Sequence, residues 1–177
     1  MTKLLFETER LYVRHFTPAD VDDYAALGAD AEVLRYVGDG TTLPRSEVAR
    51  WIDVCQQKYA DRGYGTSAVF EKATGHFIGW CGVVRAPENE FDELIYVYHK
   101  DTWGKGYATE MGRAMLAYVF GISTLDKIYA TIDSENLPSI HVAEKLGMHL
   151  EKRELEEGKW VAFYVVTKEA YDKQRRA

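Results

Sequence analysis

Apolar and polar positions alternate through Arg10-Leu11-Tyr12-Val13-Arg14, and this predicts a first strand. Thr17-Pro18-Ala19-Asp20 then carries the chemistry of a helix start: a capping threonine, a proline suited to the first helical position, and an acid three residues after the cap. That helix is predicted to end at Gly28, with a short second helix over 31–36 and a loop over 38–42. Val48, Trp51, Ile52 and Cys55 recur at three- and four-residue spacing, which predicts an amphipathic helix over 46–60 with these four on its inner face. Arg62-Gly63 ends it. Strands are predicted at 64–71, 77–84 and 91–98, with turns at Thr74-Gly75 and Ala86-Pro87-Glu88-Asn89. Gly79 and Gly82 suggest a bend or bulge in the second of these strands. Tyr107, Met111, Ala114, Met115, Tyr118 and Val119 form the apolar face of a helix reaching about Ile122. A strand at 127–132 follows, then a helix from Asn136-Leu137-Pro138-Ser139 to Leu146, stopped by Gly147. Strands at 148–155 and 159–167, joined by Glu156-Glu157-Gly158, and a short C-terminal helix complete the chain. Helices, an antiparallel meander, a β-α-β unit and a hairpin, in that order, predict one mixed α/β domain over 1–177.

Trp103-Gly104-Lys105-Gly106-Tyr107-Ala108-Thr109-Glu110 joins the third meander strand to the long helix. Two glycines there let the backbone approach an oxyanion closely. The first helical turn leaves about four N–H groups unpaired at the positive end of the helix dipole, so an anion is the natural partner. Lys105 adds a full charge. The turn is not a dinucleotide fingerprint: Thr109 stands where a third glycine belongs, and a meander precedes it instead of a parallel βαβ unit. No Gly-Lys-Ser/Thr ending makes it a P-loop. By itself, a glycine pair of this kind is compatible with a tight turn that binds nothing.

Composition narrows the partners. The chain has 177 residues, 46% hydrophobic and 28% charged, with a formal net charge of −6. An acidic balance argues against a nucleic-acid surface and suits a cationic substrate such as an amine. Cys55 and Cys81 show neither metal-ligand nor disulfide spacing, so no metal is expected. No signal-like N-terminus or long apolar run is present, and a cytoplasmic protein without a membrane span is the expectation.

The motifs as a set carry more than any one of them. Trp103 to Glu110, together with Asn136-x-x-Ser139 and Glu144-Lys145-Leu146-Gly147-Met148, closely resembles the GNAT superfamily of acetyl-CoA-dependent N-acetyltransferases. Within it, the chain looks like the RimJ/RimL-like branch of ribosomal-protein alanine acetyltransferases, from Thr8-Glu9-Arg10 to the last strand. The resemblance implies a GNAT fold, with a mixed, mostly antiparallel sheet of about seven strands whose central pair splays apart. It implies acetyl-CoA as co-substrate, its pyrophosphate held by main-chain N–H groups of Gly104, Lys105, Gly106, Tyr107 and Ala108, with Trp103 and Thr109 beside them. The pantetheine arm would add to the open edge of the preceding strand at Ile95, Tyr96 and Val97, and Asn136 would reach the pantetheine or thiol region. An N–H near Val97 would serve the thioester oxyanion.

Many members of the superfamily protonate the leaving thiolate with a tyrosine at the position of Ala143, which removes that acid here. Ser139, one helical turn earlier, is the candidate that hydrogen-bonds the sulfur and relays a proton. Glu93, in the acidic run Glu88, Glu90, Asp92, Glu93, is the candidate base, acting through water. The acceptor stays open. An α-amine of pKa near 8 is about 10% neutral at pH 7, against about 0.04% for a lysine amine, a difference of over ~3 kcal/mol in favour of a peptide N-terminus. A small amine (an aminoglycoside, a polyamine or an amino-acid-like compound) and a catalytically silent coenzyme A-binding module are the alternatives. Acceptor walls are expected from 36–42, Ser46 and the 156–160 hairpin, in a monomer or homodimer.

Overall fold

Two short strands open the chain, β1 (Leu4–Glu7) and β2 (Leu11–Arg14). The computed structural model describes residues 4–85 and 90–176, so the turn predicted at 86–89, Glu88 included, lies outside the described residues. β1 was not predicted: four residues without alternation give no periodic signal, and pairing with β2 supplies what the pattern lacks. A single 3-10 turn at Pro18–Asp20 leads into α1 (Val21–Gly28). The predicted helix over 31–36 is instead a series of turns, with Asp30 Oδ1 accepting from the N–H groups of Glu32 and Val33 at 2.9 and 3.3 Å. Six residues are too few to repay helix nucleation without a packed face.

α2 (Arg45–Arg62) buries Val48, Ile52, Cys55 and Tyr59. Trp51, expected on that face, is 41% exposed. It sits about 100° around the helix from Ile52 and falls off the buried stripe. The meander follows as β3 (Thr66–Glu71), β4 (Phe77–Arg85) and β5 (Asp92–Tyr98). The predicted bulge is present: Val69 faces Gly79 but Phe70 faces Phe77. Gly79 has φ +146°, and a Cβ there would lie 2.1 Å from the Val97 carbonyl oxygen, so β4 can approach β5 at this point only as glycine.

After α3 (Tyr107–Ile122) come β6 (Lys127–Asp133), α4 (Leu137–Lys145), β7 (His149–Glu156), β8 (Lys159–Thr167) and α5 (Lys168–Arg176). Glu157 and Gly158 turn β7 into β8 with φ of +48° and +81°, the two-residue hairpin whose twist matches the strands. The sheet has eight strands in the order β1-β2-β3-β4-β5-β6-β8-β7, with β1 as the addition to the expected seven. All neighbours are antiparallel except β5 and β6, which run parallel and pair only at Glu93 with Tyr129. β6 gives its other edge to β8 along its full length. Beyond Glu93, therefore, β5 has no strand beside it on the β6 side among the described residues, and this is the expected splayed pair.

Two apolar layers sandwich the sheet. Leu94, Tyr96 and Tyr98 of β5 face the α3–α4 layer with Met111, Met115, Leu116 and Ile140. Ile95 and Val97 face the α1–α2 layer with Phe16, Leu27, Val48 and Ile52. The second layer is anchored by a buried ion pair. Asp20 accepts from Arg14 at 2.6 and 2.8 Å and from the N–H and hydroxyl of Thr17 at 2.7 and 2.9 Å. Burial works against its charge, yet these donors win and hold the carboxyl below the usual range. Asp20→Ala would leave Arg14 unpaired at 17% side-chain exposure. We expect a loss of about 3 kcal/mol, the low end for a broken buried pair, read as a fall in Tm of about 6–12 °C. In the wild type this contribution is present above the ordinary carboxylate pKa and is lost as pH falls through the depressed folded value.

Candidate functional site

The glycine turn is built by conformation more than by contact. Gly104 and Gly106 have φ of +74° and +79°, the left-handed region that side-chain-bearing residues avoid. Gly106 is the cap of α3, and its carbonyl accepts the first helical bond, from Glu110 N–H at 3.0 Å. The N–H groups before that one have no partner within the helix.

Arg10 fixes the turn from outside. Its Nη1 donates to the Lys105 carbonyl at 2.9 Å, and its guanidinium lies 4.6 Å from the centre of the Tyr107 ring. Its Nε and Nη2 meet Glu110 Oε2 at 2.7 and 2.6 Å, while the Arg10 N–H and the Thr8 hydroxyl reach Glu110 Oε1 at 3.0 and 2.6 Å. The Tyr107 hydroxyl donates to Glu71 at 2.5 Å. Trp103 is 47% exposed, and its indole N–H donates to the Tyr98 carbonyl at 2.9 Å, tying the turn to the end of β5. A groove of about 650 Å³ runs from Gly106 and Thr109 along α3 and is lined by Arg10, Arg113, Lys145 and Arg175 on one hand and by Glu9 and Glu110 on the other.

The open edge of β5 belongs to Tyr96 rather than to Val97. His99 N–H donates to the Ile78 carbonyl at 2.9 Å, which continues the β4–β5 ladder of Tyr98 opposite Gly79. Main-chain groups alternate along a strand, so those of Ile95 and Val97 point to β4. Leu94, Tyr96 and Tyr98 present theirs to the gap, and the Tyr98 carbonyl is taken by Trp103. The N–H that faces the gap in this register is therefore that of Tyr96, and that of Val97 is turned to β4.

On the far side of the gap, Asn136 caps α4, its Oδ1 accepting from Ser139 N–H at 3.3 Å. Ser134, just past β6, has a buried hydroxyl without a partner among the described residues.

Glu93 lies where β5 and β6 part. Thr131 on β6 donates to its carboxylate. Burial raises its pKa above the ordinary glutamate value, the Thr131 bond works the other way, and Glu156 at the end of β7 adds to the rise. The acidic run around it does not act as one patch. Asp92 is buried and bound to Arg85 at 2.6 Å and to the Tyr64 hydroxyl at 2.9 Å, and Glu90 is exposed. Thr8, Arg10 and Thr131 are partners that sequence reasoning missed, because nothing local to each motif points to them. Among the described residues, no group of three or more His, Cys, Asp or Glu could hold a metal, and no helix is long and apolar enough to cross a membrane.

Residues 10–149 match the acetyltransferase (GNAT) domain family. The chain belongs to the GNAT family of acetyltransferases. It is 34% identical over 168 residues to YkkB, an uncharacterised protein of Bacillus subtilis, covering 92% of this chain and 94% of YkkB. Its fold is that of RimL, a ribosomal L7/L12 α-N-protein acetyltransferase solved with coenzyme A, at a TM-score of 0.82, with 14% identity and coverage of 95% and 99%. The fold is also that of a spermidine N-acetyltransferase from Vibrio cholerae solved with CoA and spermine, at 0.77, with 19% identity and coverage of 93% and 99%. This GNAT enzyme is an acetyl-CoA-dependent N-acetyltransferase with an amine as acceptor.

Proposed function

We propose that the protein acetylates the α-amine of a peptide, as a RimJ/RimL-like enzyme, with Glu93 as base and Ser139 at the leaving sulfur. The observation that carries this reading is Glu93, a single half-buried carboxyl at the parting of β5 and β6 whose pKa is raised. One carboxyl base, even a strengthened one, is matched to an amine that needs little help. An α-amine needs about 1.4 kcal/mol to reach the neutral form at pH 7, a lysine-type amine about 4.6. Segment 36–42 would line the acceptor side, since Val37 packs on the same layer as Ile95 and Val97.

The residues present fit a coenzyme A. The N–H groups of the Gly104–Ala108 turn suit a pyrophosphate, Arg113, Lys145 and Arg175 along the α3 groove suit further phosphate, and the open edge of β5 suits an amide-bearing arm. Acetyl-CoA supplies the activated acyl group. Tyr96 N–H then faces the thioester oxygen as it gains charge. Glu93 takes the proton from the ammonium through water, and the Ser139 hydroxyl meets the departing sulfur.

Thiol release from acetyl-CoA with a panel of amines tests the reading. Turnover on Ala- or Ser-starting peptides and none on small amines is the expected result; acetyl-CoA binding without turnover on any amine would indicate a silent module. A small polycationic amine is the second reading, favoured by Glu156 standing close enough to Glu93 to raise it. Selective turnover of spermine-like amines would establish that reading instead. Ser139→Ala is expected to lower kcat by about 10- to 100-fold, the worth of a hydrogen bond to a charged group, with the KM for acetyl-CoA nearly unchanged. An unchanged kcat would remove Ser139 from the mechanism.

A further inference from the structure

Lys105 and Gly106 share one peptide unit, and Arg10 holds one side of it. Arg10 Nη1 donates to the Lys105 carbonyl at 2.9 Å. A peptide is planar and trans, so its carbonyl and its N–H point in opposite directions. The Gly106 N–H is therefore turned away from Arg10. Gly106 caps α3, so this N–H comes before the helical ladder and has no acceptor within it. Gly106 has φ +79°. Glycine takes positive and negative φ about equally well, so the Lys105–Gly106 peptide can flip and send its N–H to the other side. Nothing in the glycine itself chooses between the two orientations.

Arg10 can make that choice, because its own position is fixed. The guanidinium is a rigid planar fork. Its Nε and Nη2 meet Glu110 Oε2 at 2.7 and 2.6 Å, which sets where Nη1 lies. Glu110 is itself held, since its Oε1 accepts from the Thr8 hydroxyl at 2.6 Å and from the Arg10 N–H at 3.0 Å. The fork thus bridges the first turn of α3 and the peptide just before it. We propose that Arg10 is a positioning residue that locks the Lys105–Gly106 peptide with its N–H facing the coenzyme A pyrophosphate. The inference rests on the reading that the Gly104–Ala108 turn holds that pyrophosphate. A flipped unit would point the Lys105 carbonyl at the anion, so one donor is lost and a repulsive dipole takes its place. Setting the orientation before the cofactor arrives removes an ordering cost from binding.

The test is calorimetric titration of Arg10→Met with acetyl-CoA and with acetyl-pantetheine, which lacks the pyrophosphate. The Arg10 side chain is 43% exposed, so its removal leaves the core intact. Kd for acetyl-CoA is expected to rise about 10- to 100-fold, the worth of one hydrogen bond to a charged group, and Kd for acetyl-pantetheine to change less than about twofold. With the best amine of the panel, kcat at saturating acetyl-CoA should also stay within about twofold, because the lost interaction is one of binding alone. Arg10→Lys keeps the charge without the planar fork and should lose acetyl-CoA affinity as well. Adding Glu110→Gln to Arg10→Met removes the carboxylate that Arg10 neutralises, and affinity should stay low. Its recovery would mean that Arg10 only screens Glu110, and would overturn the lock. Wild-type affinity for acetyl-CoA in either Arg10 variant, or equal losses with both thioesters, would overturn it too. A wild-type protein that binds both thioesters equally well would instead remove the pyrophosphate from the turn, and the lock with it.

Discussion

Replacing Gly106 with valine is expected to abolish measurable acetyl-CoA binding while the protein stays folded. The reason is conformational. Gly106 has φ +79°, and a Cβ built there meets only Arg10 Nη2, at 3.6 Å, so no side chain is crushed. What a β-branched residue cannot do is hold the left-handed backbone that turns the N–H groups of 104–108 inward. Either the turn keeps its shape at a cost of about 1–2 kcal/mol, or it relaxes and the N–H groups scatter. A fall in Tm of about 2–8 °C follows from that strain in a chain of this size. Calorimetric titration with acetyl-CoA should then show Kd raised by about 100-fold or more, as expected when several charge-assisted bonds of about 1.5–3 kcal/mol each are lost together. Wild-type affinity in a folded variant would mean that the pyrophosphate is held elsewhere.

Glu93→Gln should lower kcat by about 10²- to 10⁴-fold, the usual worth of a positioned base. Glutamine preserves size and can still accept from Thr131, so the change isolates ionisation. The pH behaviour follows from the direction of the shift. A base works ionised, so wild-type kcat should fall as pH drops through a value above the ordinary 4.5 of glutamate. Stability runs the other way. A raised carboxyl pKa contributes stability fully below the unfolded value and loses it as pH rises through the folded one. At pH 7 the ionised Glu93 is therefore a cost, and Glu93→Gln should melt higher than wild type while turning over far less. A variant with a near-normal rate across the profile would leave the amine to be deprotonated by water or by another group.

Much of this site was legible in the sequence, and the parts that were not share a cause. The Gly104–Gly106 turn and the Asn136-x-x-Ser139 helix start were readable because backbone conformation and capping are local demands on residue type. The meander and the β6–α4 unit were readable from periodicity. Which of Tyr96 and Val97 turns its N–H to the gap was not legible, because the direction of a strand's N–H groups depends on register, here fixed by the Gly79 bulge and the Ile78–His99 bond. Trp51 and the 31–36 segment went wrong where tertiary packing decides which of several apolar positions is covered. The partner of Glu93 comes from another strand, and no spacing rule joins Glu93 to Thr131.

The Arg10–Glu110 clamp has a consequence for how the enzyme becomes competent. Thr8 and Arg10 are separated from Glu110 by 102 and 100 residues. The anion cradle is therefore a non-local object, assembled from the first strand-turn and the middle of the chain. On a ribosome adding about 5–20 residues per second, the N-terminal half of the clamp waits roughly 5–20 seconds for its mate. An excised strand–turn–helix peptide carries every glycine of the motif and should bind nothing. Coenzyme affinity can thus serve as a late reporter of folding, appearing only when the two ends of that hundred-residue loop have met.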